Sequence, residues 1–84
     1  MNEYQTISKI RRYIDDMLFF FHEFDKDEDR DVINYLASDI NANIRILDVE
    51  IANNVLNEKY LKELNAYIIK VKKEISSYIV KDKE

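Results

Sequence analysis

The residues best suited to chemistry in this chain are one histidine and a few serines, and their spacing predicts no site. His22 is the only histidine among 84 residues, and there is no cysteine. Glu23 is next to it in sequence rather than one helical turn away, and a metal site would need two or three further ligands. No base is spaced to activate a serine hydroxyl. We therefore predict no catalytic residue, and a surface or interface role for His22.

Residues 25–31 contain five acids in seven positions and resemble the start of an EF-hand calcium loop, with Asp25, Asp27 and Asp29 at ligand positions 1, 3 and 5. The resemblance implies oxygen ligands for calcium. The chain departs from the pattern at Arg30, where the loop needs glycine, and at Leu36, where it needs a bidentate glutamate. We therefore predict that the acids begin a helix and hold no metal or other cofactor.

Arg11, Ile14 and Asp15 resemble the opening of the all-α chorismate mutases. The resemblance implies an enzyme that clamps a dianionic substrate with several Arg and Lys side chains, which stabilise the developing negative charge. Helix 1 has no basic residue after Arg12, so it cannot supply that clamp. We therefore predict that the protein is not an enzyme.

The composition predicts that the chain is built from helices, which must then position its side chains. The chain has no glycine and no proline, which are the residues that most readily form tight turns. Hydrophobic residues make up 46% and charged residues 36%, a balance that favours a folded chain over a disordered one. At this length, residues 1–84 are predicted to form a single helical domain.

Apolar periodicity divides the chain into three predicted helices at roughly 3–24, 26–53 and 57–81. Asp25 and Glu28 have the spacing of a capping box at the start of helix 2. A cluster of asparagines separates helices 2 and 3, although the two could also continue as one long helix. Short connections make neighbouring helices antiparallel, so the predicted fold is an all-α antiparallel three-helix bundle. The predicted core positions of helix 1 are Ile7, Ile10, Ile14, Met17, Phe21 and Phe24.

Helix 2 carries a second apolar stripe, separate from its core stripe. Tyr35, Ile46 and Val49 lie roughly 150° around the helix from the core positions, at about 100° per residue. A surface helix ordinarily has one apolar stripe. An exposed second stripe favours association, so we predict a homodimer with these three residues in its interface.

Helix 1 carries two aromatic residues outside its heptad, and they suggest a binding site for another protein. Phe19 lies nearly opposite the core stripe, and Phe20 is beside it. Aromatic anchors inside a polar rim are typical of binding hot spots. The acidic rim predicts a protein partner with a basic surface. The rim residues are Asp15, Asp16 and Glu23.

The leading prediction is therefore a non-enzymatic adaptor or inhibitor that occupies the surface of a partner protein. The net charge of −4 argues against binding to nucleic acid, which depends on Lys and Arg side chains that neutralise phosphates. The lysine face of helix 3 nevertheless makes a small nucleic-acid-binding dimer an alternative. A purely structural assembly subunit is a second alternative.

Composition also indicates where the protein is found. The absence of cysteine and of an apolar leader favours a cytoplasmic protein with no membrane association. The chain is rich in Asn, Ile, Lys and Tyr, a composition that suggests an AT-rich genome. Small helical proteins of this type are common in phages, plasmids and viruses, so we expect a small accessory protein from such a source.

Overall fold

The computed structural model describes residues 3–25 and 27–78 of the chain. Within these ranges there are three α-helices and no strands: α1 spans Glu3–Glu23, α2 spans Arg30–Ala52 and α3 spans Glu58–Tyr78. The all-α prediction is confirmed, and the packing is compatible with a three-helix bundle. The predicted end of the third helix at residue 81 lies outside the described residues.

The core stripe predicted on helix 1 packs against apolar stripes of the other two helices. On α1, the side chains of Ile7, Ile14 and Phe21 are fully buried, one heptad apart. The residues between them in the heptad, such as Ile10 and Met17, are partly buried against the same cluster. On the other two helices the buried positions repeat every three or four residues, as one face of a helix requires. They are Ile33, Leu36, Ala37, Ile40, Ile44 and Leu47 on α2, and Leu64, Ile68, Val71 and Ile75 on α3.

The second helix begins four residues later than predicted, at Arg30 rather than at position 26. Asp25 does cap a turn, because its Oδ1 accepts hydrogen bonds from the backbone N–H groups of Asp27 and Glu28 at 2.7 and 2.9 Å. The reciprocal bond comes from Asp29, whose Oδ2 accepts from the Asp25 N–H at 3.0 Å. Asp25 and Asp29 therefore cap a separate turn before α2, and Asp29 makes no side-chain cap bond to the start of α2 itself.

Asparagines separate α2 from α3, so the two helices are distinct. Asn53 follows the last residue of α2 with φ −90° and ψ 0°. The Nδ2 of Asn54 donates to the Glu50 carbonyl at 2.7 Å, which satisfies one of the free carbonyls at the end of the helix. Asn57 caps α3, because its Oδ1 accepts from the N–H of Lys59 at 2.8 Å and of Tyr60 at 3.3 Å.

The α2 helix packs closely against α1 and less closely against α3. The radius of gyration is 14.1 Å, larger than the roughly 12 Å of a compact chain of this length. The extents of 42 × 25 × 16 Å describe a long, flat molecule. Part of α2 remains exposed within the described residues, as at Tyr35 and Val49.

The packing predicts that the same substitution will destabilise the fold at a buried isoleucine but not at an exposed one. Ile40 is fully buried, so Ile40→Val should lower the free energy of unfolding by about 1 kcal/mol. In a domain of this size, that loss lowers Tm by roughly 4–8 °C. The matched control is Ile69→Val on the outer face of α3, where the side chain is exposed and Tm should not change. Thermal unfolding followed by circular dichroism measures both, and equal shifts would contradict the predicted helical register.

Candidate protein-binding surfaces

A polar contact joins the first and third helices where their backbones do not approach closely. The Tyr67 hydroxyl donates to Asp15 Oδ1 at 2.6 Å and lies 3.1 Å from the Arg11 carbonyl oxygen. The Arg11 guanidinium carbon is 4.5 Å from the centre of the Tyr67 ring, a cation–π contact. Burial, then the hydrogen bond to Asp15, raises the pKa of the Tyr67 hydroxyl above its ordinary value of 10.0.

His22 lies in the same interface, further along both helices. Its Nε2 is 3.3 Å from Glu74 Oε1 on α3, and both side chains are partly exposed. Because Tyr67 meets the middle of α1 and Glu74 meets its end, α1 and α3 run parallel. His22 therefore lies at the contact between α1 and α3. Within residues 3–25 and 27–78, no three His, Cys, Asp or Glu side chains converge as metal ligands.

The aromatic residues predicted to bind a partner lie on the surface. Phe19 is 65% exposed and Phe20 is 52% exposed, and their rings meet edge to face with centroids 6.2 Å apart. Asp16 and Glu23 are exposed as well. Asp15 is exposed too, but it differs from the other two acids because its Oδ1 accepts the hydrogen bond from the Tyr67 hydroxyl.

The second apolar stripe of α2 is also open to solvent. Tyr35 is 70%, Ile46 49% and Val49 55% exposed, and Ala42 between them is half-buried. Within the described residues, neither α1 nor α3 covers this stripe. Apolar patches of this kind on a small monomer mark surfaces that associate.

Two residues that the sequence reasoning did not assign to any site extend this apolar stripe towards α1. The hydroxyl of Tyr13 on α1 donates to Asp39 Oδ2 on α2 at 2.8 Å. This hydrogen bond to a carboxylate raises the pKa of Tyr13 above 10.0, with smaller contributions from desolvation and from the charge of Asp39. Val32 lies seven residues before Asp39 on the same side of α2 and is exposed. The sequence could have assigned Val32 to this side of α2 from its spacing relative to Asp39. It could not have assigned Tyr13, because the position of Tyr13 depends on how α1 packs.

The lysine face of α3 is exposed and includes one large apolar side chain, Ile69. Glu63 lies at the edge of this face and reduces its positive charge. An open recess between the starts of α1 and α3 is lined by Ser8, Tyr60 and the residues around the Asn57 cap. The Asn57 side chain there is already used by backbone groups. The exposed lysines are Lys59, Lys62, Lys70, Lys72 and Lys73.

No protein-family model matches this chain, and comparisons with curated proteins and with solved structures give no significant match. Among the described residues, no helix combines the length and the apolarity needed to cross a lipid bilayer.

The Tyr67 contact predicts a pH-dependent contribution to stability. A tyrosine with a raised pKa in the folded state stabilises the fold fully below the unfolded value near 10, and this contribution is lost as pH rises further. Tyr67→Phe should lower the free energy of unfolding by about 1 kcal/mol at neutral pH, because a hydrogen bond is lost. Above pH 10 the difference between wild type and variant should shrink. Denaturant unfolding at several pH values measures it, and a difference that grows with pH would contradict the proposed contact.

A matched control separates this contact from the general effect of losing a phenol. Tyr35→Phe removes a phenol that is 70% exposed, and should leave the stability difference between neutral and alkaline pH as in wild type. In an ultraviolet titration, the tyrosine absorbance that appears last should be absent from Tyr67→Phe and retained in Tyr35→Phe.

Proposed function

We propose that this protein is a non-enzymatic protein-binding module, an adaptor or inhibitor that acts by occupying the surface of a partner protein. The observation that carries the proposal is Phe19, a large aromatic side chain that is 65% exposed on the outer side of α1. An exposed aromatic of this size has no role in the core, and interfaces concentrate their binding energy on such residues.

The charges around Phe19 suggest the chemistry of the partner. Asp16 and Glu23 lie one helical turn before and after it and are exposed. Opposite charges across an interface steer two proteins together and suppress wrong partners. We therefore propose a protein partner with a basic surface that has an apolar pocket for Phe19. Asp15 contributes less than the other two acids, since its carboxylate is bonded to Tyr67.

We also propose that the chain forms a homodimer through the second stripe of α2, the surface around Tyr35, Ile46 and Val49. Their exposure supports this part of the proposal, because covering apolar surface is favourable by about 25 cal/mol per Å². The Phe19 surface and the α2 stripe lie on different sides of the molecule. A dimer would therefore leave both copies of Phe19 free for a partner.

The partner-binding proposal predicts the effect of removing Phe19. Phe19→Ala should leave helicity and Tm unchanged and weaken binding to the partner at least tenfold, a loss of about 1.4 kcal/mol. The wild-type chain, used as bait in extracts of its native cell, identifies the partner. The purified partner is then titrated with each variant at several salt concentrations. The association rate should fall as salt rises.

Ile69→Ala is the matched control, because Ile69 is equally exposed at 65% but lies on α3. It should bind the partner like wild type. If Phe19→Ala instead unfolds the protein, Phe19 belongs to the core. If Phe19→Ala binds normally and Ile69→Ala does not, the lysine face of α3 is the binding surface and the proposal is wrong.

The dimer proposal predicts association of the chain alone. Sedimentation equilibrium at tens of micromolar, above a micromolar dissociation constant, should give a dimer. Val49→Asp should weaken this association at least tenfold, because a carboxylate would be buried without a partner. Val55→Asp, in the connection between α2 and α3, is the control and should leave the dimer intact, since Val55 is almost fully exposed. A wild-type monomer at this concentration would contradict the proposal.

A further inference from the structure

The exposed apolar side chains on the α2 side of the molecule form one face that both α1 and α2 line. The bond between Tyr13 and Asp39 fixes the level at which the two antiparallel helices meet. Phe20 is one heptad after Tyr13, and Val32 is one heptad before Asp39, so these two also lie at the same level. Phe20 therefore belongs to this face, whereas Phe19 lies about 100° further around α1. The adjacent phenylalanines serve two different surfaces.

This face has a bulky aromatic half and a smaller aliphatic half. Tyr13, Phe20 and Tyr35 lie beside the first half of α2, and all three are exposed. Ile46 and Val49 lie along its second half and are exposed as well. A foreign partner would need two matching surfaces, one for each half. A second copy of the chain already has both.

The midpoint between the two halves is a small residue. Tyr35 and Val49 are each seven residues from Ala42, on the same stripe of α2. Two helices approach most closely where a small side chain lies at the crossing. If a second α2 crosses this point in the opposite direction, Tyr35 of each copy meets Val49 of the other. The bulky half then packs on the aliphatic half twice, and Ala42 packs on its own counterpart.

The size of the face is suitable for such a dimer. The α2 helix has 23 residues and is therefore about 35 Å long. A strip of this length and two helices wide, roughly 20 Å, has an area of about 700 Å². Each partner in a standard interface buries about 800 Å². Asp39 also lies at this face, and the hydrogen bond that its Oδ2 accepts from Tyr13 offsets part of the cost of covering its carboxylate.

From this geometry we infer that the proposed homodimer has two antiparallel α2 helices related by a two-fold axis at Ala42, with Tyr13 and Phe20 of α1 completing each end of the interface. This inference rests on the proposed self-association and specifies its arrangement. The occupant of the face is a second copy of the chain.

Single cysteines test the arrangement directly, because the natural chain has none. A disulfide needs Cα atoms roughly 4.4–6.8 Å apart. In Ala42→Cys, the two thiols meet at the axis, so mild oxidation should convert most of the protein into a covalent dimer. In Val49→Cys, antiparallel helices hold the two thiols about 21 Å apart, so little dimer should form. Ala66→Cys, at an exposed alanine of α3, controls for random collisions and should also stay monomeric under denaturing, non-reducing conditions.

The remaining outcomes each count for or against the arrangement. Cross-linking at both Ala42→Cys and Val49→Cys would indicate parallel helices in register, because each residue of the stripe then meets its own counterpart. Cross-linking at Val49→Cys alone would place the helix crossing at Val49. Either result would overturn the arrangement while leaving the homodimer standing. A monomeric wild type would overturn the homodimer and the arrangement together, without bearing on partner binding by Phe19. In sedimentation, Phe20→Ala should weaken association at least tenfold and Phe19→Ala should not. Equal effects of the two substitutions would contradict the division of the two phenylalanines between surfaces.

Discussion

Burial of one apolar stripe on α2 is the constraint on which the rest of the structure depends. Ile40 and Leu47, near the middle of this stripe, are fully buried, and all three helices contribute to the same cluster of buried side chains. A chain of this size has little apolar surface to remove from water, so few arrangements can stabilise it. The α1 and α3 helices both contribute side chains to the cluster that buries this stripe. Among residues 3–25 and 27–78, nothing covers the second apolar stripe of α2 around Tyr35, Ile46 and Val49.

The two connections between helices form their turns without glycine or proline, the residues that most readily form tight turns. At the first connection, Asp25 and Asp29 accept hydrogen bonds from backbone N–H groups, and at the second, Asn57 does so. Short polar side chains can replace a missing backbone partner in this way. The described residues contain no residue with positive φ. Asp25 and Asp29 therefore have a structural role in the turn that connects α1 to α2.

Polar groups complete the packing where apolar contact is weakest. Between α1 and α3, the bond from Tyr67 to Asp15 and the contact of His22 with Glu74 hold the helices in a parallel arrangement. These two contacts pair the middle of α1 with the middle of α3 and the end of α1 with the end of α3. They also reduce the chemistry available at the surface, because a carboxylate that accepts a short hydrogen bond is less free to meet a partner protein.

The sequence by itself determined the helical class, the three helices and the core stripes, because heptad spacing and the absence of glycine and proline leave few alternatives. It also placed Phe19 and Tyr35 outside the core, since the register of one helix is enough to show that. It could not determine that α2 begins at Arg30, because several acids compete to cap the same turn. Nor could it assign Tyr13 to the α2 side or Asp15 to Tyr67, because both contacts depend on how separate helices pack. Only the tertiary structure brings residues from distant parts of the chain together, and so only it decided which polar groups are occupied and which apolar surfaces remain open.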